Sequence, residues 1–273
     1  MTKQELKDYR YTCKCSKQEE KMKAVLKYPG AKWRISEWII SHFPEHKVYC
    51  EPFFGSGAVF FNKPQTYIET INDIDGNIVN LFKVCRDNPE ELARLIEFTP
   101  FAREEFENCY DKSDDPIEQA RRTLVRYHQS FGTSNSSKKS WRNVQTYGGP
   151  RTATMWNYLP GRISEICARL KEAQIENIDA IELIRRYNDE NTLLYCDPPY
   201  LQSLRRKNIY SCELSEEYHI NLLSVLKESK SKIVLSGYDS QLYNSMLSGW
   251  NTDEKQTTAQ MGKHRVEKIW FNF

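Results

Sequence analysis

Residues 46–61 read HKVYCEPFFGSGAVFF, and this stretch decides the fold. HKVYCEP is short, apolar and partly β-branched, which predicts a strand ending at Glu51. FFGSGAVFF then predicts a glycine turn that opens a helix. A glycine turn between a strand and a helix is where an α/β fold holds a cofactor, because glycine has no Cβ to keep a ligand from the backbone. Two familiar turns do not fit. The third glycine position of a dinucleotide-binding GxGxxG is taken by Phe60, and no GK[ST] follows to cradle a triphosphate. What remains is Gly55 and Gly57 behind a strand-end acid.

Outward from this unit, strands and helices alternate. Residues 32–42 (KWRISEWIISH) space Trp33, Ile35, Trp38 and Ile39, with Phe43 beyond, at helical intervals until Pro44. QTYIETIND predicts a second strand ending in acid, followed by helices over DGNIVNLFKVCRDN and PEELARLIEF. ISEICARLKEA predicts a helix, AQIENID a strand, AIELIRRYN a helix, and NTLLYCDPPY a strand running into a Pro-Pro turn. SEEYHINLLSVLKES predicts a helix, and SKIVLSG and VEKIWFNF the last strands. This order implies an α/β fold with a mostly parallel sheet and helices on both faces. Residues 101–169 break the alternation with helical pieces around the polar loop FGTSNSSKKSW. They are expected to form an inserted, mainly helical sub-domain, with residues 22–100 and 170–273 as the main domain. Residues 1–21 are polar and read as a flexible extension before a second plausible start at Met22.

The 273 residues suit one large domain with an insert. With 39% hydrophobic and 28% charged residues the chain reads as soluble and globular, and no apolar run approaches a membrane span. The N-terminus lacks the apolar region of a secretory signal. The 8 cysteines include no CxxC pair and read as thiols of a cytoplasmic protein. Cys13 and Cys15 with His42 and His46 fit no common zinc spacing, so no metal is expected. The net charge of +2 hides a segregation: residues 121–169 carry nine basic side chains and one acid, Glu165, leaving the remaining chain at −6. Gathering charge in this way suits a protein that grips a phosphate backbone.

The residues that carry chemistry lie at predicted strand ends. Glu51 before the glycine turn suits a positively charged ligand, and S-adenosylmethionine, with its sulfonium and amino groups, is one. Asp73 ends the next strand, placed to accept from ribose hydroxyls; Asp75 reads as a turn or helix cap. Asp179 is placed either to reach an adenine or to cap the following helix. Asp197-Pro198-Pro199-Tyr200 follows the apolar strand TLLYC. An exocyclic amine on a purine is a poor nucleophile because its lone pair is delocalised into the ring. A carboxylate from Asp197 and the carbonyl of Pro198, each accepting an N–H, push that nitrogen toward tetrahedral geometry. Successive prolines stiffen the turn, and Tyr200 offers a ring for stacking. A base inside a duplex has to be flipped out to reach such a site. Cys196, one residue earlier, points to the other side of the strand.

On these motifs the chain resembles the Dam-like, D12 class of DNA adenine-N6 methyltransferases, from about Val25 to Phe273 with the insert matching least. The resemblance implies a Rossmann-like S-adenosylmethionine-dependent fold with a target-recognition sub-domain in the insert. Leu26 to Lys32 is similar to that family's N-terminal cofactor motif, which would place Tyr28 and Lys32 against S-adenosylmethionine. Glu51, Phe53, Gly55 and Gly57 match its glycine motif, Asp73 its ribose-side acid and Asp197 to Tyr200 its catalytic motif. Residues 236–239 and 266–273 resemble the late strands that wall the base pocket. The implied activity is methyl transfer to N6 of a flipped adenine in double-stranded DNA, by a monomer. Candidate DNA contacts are Arg122, Arg126, Lys138, Lys139, Arg142 and Arg151 in the insert, and Arg205, Arg206 and Lys207 just past Tyr200. Trp141, Tyr147, Trp156 and Tyr158 lie among the basic residues, as base contacts or as core. Rival readings keep the fold and change the acceptor to cytosine N4, an RNA base or a protein glutamine, or make the chain an inert DNA-binding module. Asp at the first motif position disfavours the other acceptors, and intact motifs disfavour inertness.

Overall fold

A computed structural model of the chain describes residues 22–131, 140–143, 151–204, 212–258 and 264–273. The described elements are, in order, α1 (Ser36–Ile40), β1 (Val48–Glu51), β2 (Ile68–Asn72), α2 (Gly76–Asp87), α3 (Pro89–Phe98), α4 (Arg103–Asn108), α5 (Pro116–Gln129), α6 (Thr152–Trp156) and α7 (Leu159–Lys171). There follow β3 (Gln174–Glu176), α8 (Ala180–Arg186), β4 (Thr192–Cys196), a short 3-10 turn (Gln202–Leu204), α9 (Glu216–Glu228), β5 (Lys232–Gly237), α10 (Gln241–Met246), β6 (Asn251–Thr258) and β7 (His264–Phe271). The strands form one sheet in the order β3-β2-β1-β4-β5-β7-β6. The first five are mutually parallel, and β7 runs antiparallel to β5 and β6.

The central strands are buried on both faces, so they read as continuous apolar runs. Period-two alternation divides them between two cores. Tyr49, Leu193, Tyr195 and Val234 face the larger core with α2, α3, α5 and α7. Cys50, Leu194, Cys196, Ile233 and Leu235 face the smaller one with α8 and α9. Cys196 therefore lies on the face away from the Asp197 side, as alternation predicts. Chain order reverses between β1 and β4, so their carboxyl ends frame a crevice at the topological switch point, where open α/β sheets bind ligands.

Three expectations need correction. The helix over 32–42 shortens to α1, flanked by turns. FFGSGAVFF opens a single helical turn, closed by Phe61 N donating to Gly57 O and Lys63 N to Val59 O, rather than a helix. Gly57 is left-handed and Pro64 disfavours α geometry at Lys63, leaving no room for more. β6, NTDEKQTT, was not foreseen: it is an edge strand whose polar side chains give no apolar alternation, and its charges guard the open edge.

The described helices of the 101–169 stretch do not enclose a core of their own. α5 and α7 pack on α2 and α3, and their buried residues join the larger core of the sheet. α7 is also clamped to the sheet. The buried Glu69 carboxylate on β2 accepts from Lys63 Nζ at 2.5 Å and from the Arg169 guanidinium, which lies 4.0 Å from the Phe60 ring centre. None of the described helices is long and apolar enough to cross a membrane.

Candidate active site

A cavity of about 240 Å3 lies outside the carboxyl ends of β1, β2 and β4. Tyr28, Lys32, Glu51, Phe53, Gly55, Asp73, Asp179, Asp197 and Pro199 all line it. Thus residues dispersed from 28 to 199 in the chain converge on one crevice. Gly57 does not line it.

The glycine turn is held from within the protein. Gly55 has φ +51° and Gly57 φ +66°, conformations that favour glycine. A Cβ on Gly55 would stand 2.9 Å from the Tyr28 ring, and one on Gly57 would stand 2.5 Å from the Phe54 ring. Both glycines are therefore required by neighbouring aromatic rings, a reason independent of any ligand. Trp33 Nε1 donates to Ser56 Oγ at 3.0 Å and Phe54 N to Asn72 O at 2.9 Å, fixing the turn to the N-terminal segment and to β2.

Six acids line the cavity, and four of them, Glu51, Asp73, Asp179 and Asp197, are candidates for the chemistry and differ in their surroundings. Glu51, 2% exposed, accepts from Tyr49 Oη at 2.6 Å, and burial pushes its carboxyl up to about 8. Asp73 accepts from Gly55 N at 2.8 Å and Asp75 N at 2.9 Å; burial outweighs these bonds and raises it to about 6. Asp75 caps α2 by accepting from Asn77 N, as the sequence suggests. Asp179 does two things at once. Its Oδ1 caps α8 at Ile181 N and Glu182 N, and its Oδ2 accepts from Tyr218 Oη at 2.8 Å. The fourth acid, Asp197, has an 18% exposed side chain, and burial raises its pKa against the opposing pull of Lys32.

Lys32 joins the cavity to the catalytic turn. Its Nζ is 2.9 Å from Asp197 Oδ2, donates to Gly30 O at 2.8 Å, and lies 3.9 Å from Glu267 Oε2. Asp197 Oδ1 is buried with no hydrogen-bond partner among the described residues. A carboxylate oxygen left without a donor inside a protein is costly unless something else donates to it. Tyr200 is tied into the same network. It is 5% exposed, packs edge-on against Tyr238 with ring centres 4.3 Å apart, lies under Lys32 Nζ, and donates to Glu267 Oε2 at 2.7 Å. Its ring is thus held in place by protein neighbours. Glu267, on β7, escaped the sequence reading because it lies 70 residues past Asp197 on an edge hairpin. Tyr195, Tyr218, Glu213 and Leu214 also line the cavity, and no spacing in the sequence ties them to it.

The basic candidates are placed less uniformly. Arg122 donates to Glu118 at 2.7 Å and to Asp111 O at 2.8 Å, while Arg121 is shared by Glu118 and Glu105. Arg126 stacks over Tyr110. Arg142 donates to the carbonyls of Gln129 and Ser130 at the end of α5, and its charge and that of Arg162 help burial to lower Lys27 to about 8. That end of α5 adjoins the cavity, since Tyr127 packs on Tyr28. Arg151 is exposed ahead of α6. Trp156 is core, donating to Thr99 O; Trp141 packs with Phe101 and Arg103, and Tyr158 is exposed. Lys138, Lys139, Tyr147, Arg205, Arg206, Lys207 and residues 1–21 lie outside the described residues. Among the described residues, no group of three or more His, Cys, Asp and Glu side chains is arranged to hold a metal ion.

Comparison with known proteins adds the chemistry. The family model described as D12 class N6 adenine-specific DNA methyltransferase matches residues 28–261. The DNA adenine methylase of Haemophilus influenzae is 25% identical over 247 residues, covering 84% of each chain. That of Escherichia coli K12 is 25% identical over 259 residues, covering 92% of this chain and 88% of the relative. A type II methyltransferase of Lactococcus lactis is 25% identical, covering 88% of this chain and 90% of the relative.

Proposed function

The chain belongs to the D12 class of N6 adenine-specific DNA methyltransferases, and from that premise we propose that its strand-end crevice holds S-adenosyl-L-methionine and presents Asp197 to the amine of a flipped adenine. The observation that carries this reading is the pairing, in one crevice, of a buried acid, Glu51, and a buried carboxylate oxygen, Asp197 Oδ1, that has no donor among the described residues. Burial, helped by the neighbouring Asp197, raises the Glu51 carboxyl to about 8, and the charge of Lys63 opposes this only in part. A bound ammonium would favour the charged form. Asp73 keeps lone pairs for ribose hydroxyls, and Asp179, stiffened by its cap and by Tyr218, edges the adenine side.

When bound, S-adenosyl-L-methionine would supply an electrophilic methyl group to the amine lone pair, its sulfur keeping the electrons of the S–CH3 bond, and the amine's surplus proton would pass to water. The chain's residues orient and polarise. Asp197 Oδ1 accepts one amine N–H and the Pro198 carbonyl accepts the other, localising the lone pair on nitrogen. The proline pair holds both acceptors at the end of β4, so little reorganisation is needed at the moment of reaction. Tyr28, packed against the glycine turn, walls the crevice. Arg126, Arg142 and Arg151, with Lys138, Lys139, Arg205, Arg206 and Lys207, grip DNA phosphates, and the 101–169 stretch contributes target recognition as part of the methyltransferase body.

The test is transfer of labelled methyl from S-adenosyl-L-methionine to unmodified duplex DNA, with the modified base identified after hydrolysis. N6-methyladenine is the expected product, and methylome sequencing of expressing cells would give the target. Label in cytosine, or no transfer with no S-adenosyl-L-methionine binding at millimolar concentration, overturns the reading.

A further inference from the structure

Glu267 has no place in the reading above, yet it stands beside Lys32 and Tyr200, the two side chains whose hydrogen bonds favour the charged form of Asp197. Its Oε2 accepts from Tyr200 Oη at 2.7 Å and stands 3.9 Å from Lys32 Nζ, which is itself 2.9 Å from Asp197 Oδ2. The side chains of Lys32 and Glu267 are 5% and 13% exposed. At such burial a cation is held by whichever carboxylates it can reach. The arrangement has a chemical consequence. An amine arriving at Asp197 competes with Lys32 for the same carboxylate: a lysine ammonium bound there draws electron density from the acceptor and weakens its hold on the amine. A second carboxylate within one small movement of Lys32 Nζ gives the ammonium somewhere to go without leaving it unpaired.

We propose that Glu267 is a positioning residue for methyl transfer, receiving Lys32 as the adenine amine engages Asp197 while its hydrogen bond from Tyr200 keeps the DPPY turn in place. The inference rests on the proposed role of Asp197 toward the amine. It assigns β7, the strand antiparallel to its neighbours, a direct function: it brings a carboxylate across the mouth of β4 that no parallel strand end supplies. Glu267 touches no reacting atom and acts through its two neighbours.

Two substitutions separate the two contacts. Glu267→Gln keeps an acceptor for Tyr200 and removes the charge that attracts Lys32; Glu267→Asp keeps the charge with a shorter reach. Each is compared with the parent for kcat, for KM and for equilibrium affinity toward two target duplexes. One duplex carries adenine and the other purine, which lacks the amine, at the methylated position. The parent should prefer adenine. Glu267→Gln should lower kcat about tenfold or more and shrink the adenine-over-purine preference, with purine-duplex affinity unchanged, while Glu267→Asp restores part of both. If the preference is unchanged in Glu267→Gln, or if affinity for both duplexes falls together, Glu267 is merely structural and the proposal fails. Failure of the underlying reading looks different: the parent itself then shows no preference for adenine.

Discussion

The crevice at the ends of β1, β2 and β4 was marked by motif and the basic stretch of residues 121–169 by composition, and the fold uses them differently. At the crevice, nine of the twelve residues singled out by motif line one cavity, with Gly57, Pro198 and Tyr200 packed beside it. In the basic stretch, residues of one charge have divergent surroundings. Arg169 is half-buried in an ion-paired clamp, Arg121 is shared by Glu118 of its own helix and Glu105 of α4, Arg122 pairs with Glu118 one turn back, and Arg151 is exposed. Position at a strand end constrains where a side chain points, because alternation and sheet register leave one direction. Position in a charge run does not, since a helix turns through every direction within four residues.

The comparison breaks most easily at Asp197. Asp197→Ala should reduce kcat by about a thousandfold or more and Asp197→Asn somewhat less, with the melting temperature little changed. Activity in labelled-methyl assays within threefold of the parent for either variant would remove the crevice's claim to the chemistry. Next comes Arg169. Arg169→Ala leaves Glu69 with Lys63 as its one cation beside the Thr66 N–H and should cost about 2–3 kcal/mol in denaturant unfolding, whereas Arg151→Ala should be near neutral. Equal costs would erase the division within the basic stretch.

Glu51 offers a smaller effect with a definite sign. Its folded pKa, about 8, lies above its ordinary value. The folded state therefore holds an extra proton between about pH 4.5 and 8, and this group's contribution to stability falls as pH rises through that window. Glu51→Gln should consequently melt higher than the parent at pH 8, with the gap closing toward pH 5. The same variant should weaken S-adenosyl-L-methionine binding about tenfold. Calorimetry at pH 7 in two buffers should show proton release when the parent binds it, and none from this group in the variant.

The smallest effects separate the arginines. If Arg126, Arg142 and Arg151 contact phosphates, each alanine variant should lower the slope of log affinity against log salt by about 0.9. Arg121→Ala should leave it unaltered, because its guanidinium is already engaged by Glu118 and Glu105. A uniform drop across all four would mean that charge, not placement, governs the grip.

Sequence alone determined the alternation of strands and helices, the glycine turn, the strand-end acids and DPPY, because each is a local pattern with a short-range physical cause. Apolar periodicity reports burial, glycine reports a backbone that a Cβ would not permit, and an acid after an apolar run marks where the strand ends. Tertiary structure alone decided that the glycines yield to Tyr28 and Phe54, that Tyr200 packs against Tyr238, and that β6 pairs at the edge. It also brought Glu267 to Lys32 and put α5 and α7 into the common core. These outcomes depend on which distant residues meet, and side chains 235 positions apart, as Lys32 and Glu267 are, carry no local signature of their contact.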